Sequence, residues 1–249
     1  CVTGLVVVDT FSYWSLFGKG VILILIQIGG LGIVSIITLF MLLFRMKITL
    51  KSTMLLQDAF NLNSKQGLLK FTIKVIKGTF LIEGIGAFIY SFYYCREYGL
   101  LKGIWFSVFH AVSAFCNAGL DIMGADSLIP YHSNLLMMLN TSFLIIMGGI
   151  GFIVWWDTVE AFRRIRTKKC SIRSAWNGVH LQTKIAIFMT LLLLIGGTVV
   201  IYFLERSNPD TLGNLSEKDR ILNAFFQSVT LRTAGFAAVP QAALRPVTA

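Results

Sequence analysis

Phe115-Cys116-Asn117-Ala118-Gly119-Leu120 closes an uncharged segment, Gly103 to Leu120, that is short for a bilayer-crossing helix and is followed by Asp121, Asp126 and Pro130. Related strings occur twice more, Cys1-Val2-Thr3-Gly4-Leu5 and Arg232-Thr233-Ala234-Gly235-Phe236, with glycines spaced 115 and 116 residues apart. A period of that length points to a duplicated multi-helix unit rather than a solenoid repeat. Non-helical backbone at membrane depth survives only where it lines a cavity or packs in protein, so the string after each short helix is expected to face a pore. Main-chain carbonyls placed there can replace the water shell of a dehydrated cation, and glycine can set its carbonyl where a Cβ would be strained. The candidate coordinating oxygens are those of Val2, Thr3 and Gly4; of Asn117, Ala118 and Gly119; and of Thr233, Ala234 and Gly235.

Hydrophobic residues form 55% of the chain and charged residues 14%, with a mean hydropathy of +0.73, values that belong to a polytopic membrane protein. The net charge of +10 is not spread as a nucleic-acid surface would be. Seven Lys and Arg lie in residues 45 to 77 and seven in 163 to 184, fourteen of the 22, each cluster between apolar spans. Basic loops stay cytoplasmic, so the charge sets topology and nucleic acid is not a partner. Cys1, Cys95, Cys116 and Cys170 share no metal-ligand spacing, and neither a disulfide nor zinc is expected.

The topology follows from the charge pattern. Val21 to Phe44, 24 residues without a charge, reads as a helix descending from outside to Arg45 and Lys47. Residues 46 to 70 read as a short surface helix. Gly78 to Cys95 rises, apolar except for Glu83, and Gly103 to Leu120 is a re-entrant pore helix with its string. Ser133 to Trp156, again 24 uncharged residues, descends to Arg163, Arg164, Arg166, Lys168 and Lys169. Ile185 to Leu204 rises, Glu205 to Asp219 turns outside, and Ile221 to Thr230 is the next pore helix. The copies also share Gly29-Gly30-Leu31-Gly32 and Gly148-Gly149-Ile150-Gly151 on the descending helices, read as small-residue helix contacts.

The combination of Val2-Thr3-Gly4-Leu5-Val6-Val7-Val8-Asp9-Thr10, Gln27-Ile28-Gly29-Gly30-Leu31-Gly32, Ser113-Ala114-Phe115-Cys116-Asn117-Ala118-Gly119 and Phe226 to Phe236 closely resembles the Trk/Ktr/HKT superfamily of potassium transporters, most like the bacterial Ktr potassium-uptake membrane subunit. The resemblance implies an all-α polytopic membrane protein made of repeated helix–pore helix–filter–helix units of a pseudo-fourfold cation pore. It also implies a homodimer in the plasma membrane and a cytoplasmic nucleotide-binding regulatory subunit. On that plan residues 1–77 are the filter end, descending helix and cytoplasmic loop of a first pore unit. Residues 78–162 are a complete second unit, and 163–249 carry a loop and a third unit to just past its filter. The rest of the third unit and a fourth are expected in a longer chain, since residues 237–249 show no following apolar helix and Cys1 begins inside a filter string. Potassium is the implied substrate, with no covalent cofactor, and sodium coupling is left open. Glycine at all three string positions favours potassium over the sodium-permeable relatives that carry serine at one of them.

Other residues have two readings each. Glu83 in an apolar helix is a candidate for cation coupling but more simply pairs with Lys74, Lys77 or a neighbouring helix. His110 lacks metal partners and reads as packing. Asp9, Asp121 and Asp126 concentrate cations outside the strings or cap turns. Arg232 would repel a cation unless its side chain lies behind the string. The basic stretch 163 to 173 docks a regulatory partner or sets orientation alone. Tyr93, Tyr94, Trp155 and Trp156 read as interfacial anchors. The competing functions are a sodium-conducting or sodium-coupled transporter of the same fold, and a non-transporting scaffold. No paired-Asp, Ser-His or His-Glu-x-x-His constellation points to an enzyme.

Overall fold

A computed structural model describes residues 4, 6–32, 65–124, 126–168 and 171–248, and every regular element among them is helical. The α-helices are α1 (Thr10–Tyr13), α2 (Leu16–Leu31), α3 (Lys65–Tyr98), α4 (Leu100–Phe115), α5 (Leu135–Gly149), α6 (Phe152–Lys168), α7 (Ile172–Asn177), α8 (Leu181–Glu205) and α9 (Glu217–Thr230), with short helical turns at Ile129–Tyr131, Pro209–Gly213 and Gln241–Ala243. Among the described residues Thr72–Tyr98 and Leu181–Glu205 are long and apolar enough to cross a membrane. The first descending span is described only as far as Gly32, and the expected surface helix of residues 46 to 70 falls outside the described residues up to 64.

The chain divides into two compact units: Cys1–Ala125 with Thr233–Phe236, and Asp126–Arg232 with Ala237–Ala249. In the first, α2 packs against α3 and α4, and α3 and α4 form a tight antiparallel hairpin. The turn between them is Gly99, left-handed at φ 81°, which is what a one-residue reversal between two helices requires. The hairpin closes on Gly103: a Cβ there would lie 2.5 Å from the backbone nitrogen and Cα of Cys95. Tyr90, Tyr94, Phe109 and Phe115 fill the space below with almost no exposure.

In the second unit α9 packs on α8 and α5, and α8 also meets α6. The described structure corrects one span. Ser133 to Trp156 is not a straight helix: α5 ends at Gly149, and Phe152–Thr167 leaves at 101° to it. Gly151, at φ 94°, makes the break, and the equivalent Gly32 ends α2 at φ 78° with its N–H donated to the Gly29 carbonyl at 3.1 Å. The repeated Gly-Gly-x-Gly is therefore a helix terminator in both copies, and in the first copy Gly30 also gives close contact, with Cys116.

Trp155 and Tyr94 are a second correction. Trp155 is buried and donates its Nε1–H to the Met147 carbonyl at 2.8 Å, reaching across the break to a carbonyl near the end of α5. Tyr94 is fully buried against Tyr90, with ring centroids 5.7 Å apart, and its hydroxyl reaches Met123 Sδ at 3.0 Å. Both belong to the packed interior rather than to an interfacial belt.

Residues 237–248 are bound into the second unit without a long helix, only the short turn Gln241–Ala243. Glu205, fully buried, organises them. Its Oε2 accepts from Asn208 Nδ2 at 2.7 Å and Thr211 Oγ1 at 2.6 Å, and its Oε1 from the Arg245 amide at 3.0 Å. Asn208 Nδ2 also donates to the Ala243 carbonyl at 2.9 Å, and the Leu128 amide to the Ala237 carbonyl at 2.9 Å. A buried carboxylate stays there only because its lone pairs are met by such donors.

Candidate functional site

The site is built from the segments that follow two short helices and from Gly4, the described residue of the first string. Of the first string, Val2 and Thr3 lie outside the described residues, and Gly4 is described. Pore helix α4 ends at Phe115, and three successive amides are spent on its last turn: Cys116 to Val112 at 2.9 Å, Asn117 to Ala114 at 3.2 Å and Ala118 to Ser113 at 2.9 Å. The Ser113 hydroxyl donates back to the Leu120 carbonyl, so the string is clamped at both ends. The carbonyls of Asn117, Ala118 and Gly119 accept no hydrogen bond among the described residues, nor do those of Ala234 and Gly235.

The two later strings have the same backbone shape. Asn117 and Gly119 have φ 51° and 66°, Thr233 and Gly235 have φ 66° and 81°, and in each the alanine between is not left-handed. A backbone that alternates hand gathers its N–H groups on one side and leaves its carbonyls to the other. Gly4 shares the left-handed φ, at 64°. Asn tolerates this region, whereas a β-branched residue there is a true outlier, so Thr233 holds strain that the surroundings impose.

Gly4, Gly119, Ala234 and Gly235 come together in the first unit. A Cβ added to Gly119 would run into the Ala234 carbonyl and sit 2.8 Å from Gly235 Cα and 2.9 Å from Gly4 Cα. One added to Gly4 would sit 2.5 Å from the Gly119 carbonyl oxygen. Gly4, Gly119, Ala234 and Gly235 are thus in direct backbone contact. Glycine is required at Gly119 on both counts, conformation and space.

The chain belongs to the TrkH family of cation transport proteins. The family's description is matched by residues 1–249 in full. Similar proteins include the potassium/sodium uptake protein NtpJ of Enterococcus hirae, 41% identical over 95% of this chain and 49% of that protein. The Ktr system potassium uptake protein B of Bacillus subtilis is 39% identical over 94% of this chain and 50% of its own length. Its namesake in Vibrio alginolyticus is 34% identical over 96% and 50%. The chain spans about half the length of the curated relatives it matches. Its membership in the TrkH family makes it an integral, multi-pass, all-helical membrane protein.

Around this TrkH site the remaining candidates fall into place. His110, 1% exposed, is a packing residue: its ring lies 5.1 Å from Tyr90 and 4.9 Å from Phe236, the residue after Gly235. Asp9 caps α1, accepting from the Phe11 amide at 3.1 Å, the Ser12 amide at 2.9 Å and the Ser12 hydroxyl at 2.6 Å, and the hydroxyl bond holds its carboxyl below the usual range. Asp121 closes a turn on the Met123 amide at 3.4 Å. Arg232 is half-buried, its amide bonded to the Val229 carbonyl at 3.1 Å.

Glu83 is 4% exposed and pairs with a neighbouring helix: Gln27 of α2 donates its Nε2–H at 3.0 Å. Sequence reasoning missed Gln27 and the adjoining Cys116. The available signal was that Gln27 is the one amide side chain in the uncharged run Val21 to Phe44.

Proposed function

We propose that this chain forms part of a potassium-uptake protein in which dehydrated potassium passes among main-chain carbonyls of Val2, Thr3 and Gly4, of Asn117, Ala118 and Gly119, and of Thr233, Ala234 and Gly235. One observation carries the reading. Strings separated by more than a hundred residues meet at Gly4, Gly119 and Gly235, the two later strings share one alternating backbone shape, and the carbonyls of Asn117, Ala118, Gly119, Ala234 and Gly235 accept no hydrogen bond among the described residues. Replacing a hydration shell is all the chemistry that passage needs, so no covalent step, enzyme activity or resident cofactor is invoked.

The repeat organisation argues for a fourth string outside this sequence that completes a pseudo-fourfold ring. Relatives named for the Ktr system speak for a multicomponent assembly in the plasma membrane, here a homodimer controlled by a cytoplasmic nucleotide-binding subunit. The basic stretch 163 to 173 is its proposed docking face.

A second reading has its own support: the Enterococcus relative is named for potassium and sodium together. Rubidium uptake by the full-length protein in cells lacking their own potassium uptake separates the two. Competition by potassium far stronger than by sodium, and loss of that preference in Gly119→Ser, is the expected result. Equal competition by both ions would replace potassium with a sodium-permeable pathway. No uptake at all would favour a scaffold.

A further inference from the structure

We propose that Glu83 is a positioning residue for ion discrimination: its carboxyl ties Cys116, the residue directly before Asn117-Ala118-Gly119, to Gln27 of α2, and so fixes the second string from behind. This rests on the filter reading of those strings.

Three observations meet at Cys116. Its Sγ lies 3.8 Å from Glu83 Oε1, the same oxygen that accepts from Gln27 Nε2 at 3.0 Å. On its other side Gly30 of α2 comes so close that a Cβ there would collide with Cys116 Sγ and lie 2.6 Å from its Cβ. Cys116 is therefore held between α2, which presses on it, and α3, whose Glu83 accepts a hydrogen bond from its thiol. Its own amide is bonded to Val112 at 2.9 Å, so the last side chain before the string is fixed by three helices.

An ionisable group in a spanning helix is expensive and calls for a role. Glu83 sits in α3, within the Thr72–Tyr98 span, and is 4% exposed. Both of its donors are neutral, so what they use is the acceptor oxygen rather than a charge. Its Oε2 has no partner among the described residues, and neither has Thr79 Oγ1, one turn earlier on the same helix and fully buried. Two buried orphan atoms are a poor way to stabilise a helix hairpin. They are tolerable where one oxygen has been committed to a site. Selectivity between alkali ions rests on where carbonyls stand and how firmly they are held. A tether one residue from Asn117 acts on that directly.

The test is rubidium uptake by the full-length protein in potassium-uptake-deficient cells, with potassium and sodium as competitors, at matched amounts of membrane-inserted protein. Glu83→Ala is expected to lower the potassium-over-sodium preference by about tenfold, the size set by removing one partner of a buried hydrogen-bonded pair. Glu83→Gln, which keeps an acceptor oxygen at the same place, is expected to restore it to within about twofold. Gln27→Ala leaves Cys116 tethered and is expected to lose less, which keeps the proposal testable if Glu83→Ala fails to insert.

A variant that only loosened the fold would lower the maximal rate of uptake and leave the ion preference alone. That result for Glu83→Ala overturns the proposal. Glu83→Gln behaving like Glu83→Ala also overturns it, because a charge and not a hydrogen-bond tether would then be at work. A wild type without preference, or one indifferent to Gly119→Ser, is a different failure: it removes the filter reading and this inference with it.

Discussion

The second and third strings reach one backbone shape by different means. Asn117-Ala118-Gly119 uses a residue that accepts the left-handed region, follows a cysteine tethered from two helices, and spends its amides on the end of α4. Thr233-Ala234-Gly235 puts a β-branched residue in the same conformation, follows an arginine, and is followed by Phe236 packed on His110. What the duplication has kept is the path of the main chain, and side chains have been free to change around it. The helices leading to the strings differ in the same way. Gly103 of α4 lets that helix lie on Cys95, whereas for α9 the close approach is made from the other side, by Gly197 of α8 against Ser228. A strained residue kept at Thr233, where Asn would serve, says that the shape itself is what is needed.

Substitutions order themselves by how much of that shape they destroy. Gly119→Ala should be worst, because its Cβ meets backbone of both neighbouring strings and its φ of 66° disfavours any side chain. Rubidium uptake is expected to fall by well over about tenfold at normal expression. Uptake near wild type would mean the strings do not carry the ion. Next comes Gly103→Ala against Gly197→Ala. The first drives a methyl into the Cys95 backbone, which cannot move without parting the helices, and should cost about 3 kcal/mol. The second meets chiefly the Ser228 hydroxyl, whose bond to the Leu194 carbonyl at 3.0 Å would be lost, for about 1 kcal/mol. Thermal unfolding in detergent measures both, and the reverse order would contradict the packing. Thr233→Asn should go the other way, gaining about 1 kcal/mol by relieving the strain while keeping uptake. A loss of stability there would show that the Thr233 side chain earns its place by its own contacts.

The comparison also shows which features a sequence can disclose. The repeated strings were legible because three glycines recur at 115 and 116 residues, and the spanning helices α3 and α8 because charge and hydropathy delimit them. The break at Ile150-Gly151 was not: Ser133 to Trp156 has the length and composition of a straight span, and glycine at a helix contact looks the same as glycine ending a helix until its φ is known. Tyr94 and Trp155 were misplaced for a similar reason. Aromatic residues with a polar tip suit a membrane interface and a packed interior equally, and only the partners Met123 and Met147 decide. Glu83 stood out as a lone charge, but Gln27 lies 56 residues away on another helix, and no periodicity links them.

The smallest expected effect separates the starts of the two pore helices. Helix α4 begins after Gly99 with no side-chain cap and no acid in its first turn. Helix α9 begins with Ser216, whose Oγ accepts from the Asp219 amide at 3.3 Å, and with Glu217, which accepts from the Tyr202 hydroxyl and from Arg220 Nη1 at 2.8 Å. The Tyr202 bond foremost, aided by Arg220, lowers the Glu217 pKa. A carboxyl lowered on folding adds stability that is present above its unfolded value, about 4.3, and is lost as pH falls through the lower folded one. Acidification below about pH 4 should therefore loosen the first turn of α9 and leave that of α4 untouched. Ser216→Ala should cost about 1 kcal/mol at pH 6, because it removes the N-cap. Unfolding midpoints of wild type, Glu217→Gln and Ser216→Ala at pH 6 and pH 3.5 separate these. Glu217→Gln should flatten the acid loss attributable to this turn and Ser216→Ala should not, and equal acid sensitivity in all three would place the titrating group elsewhere.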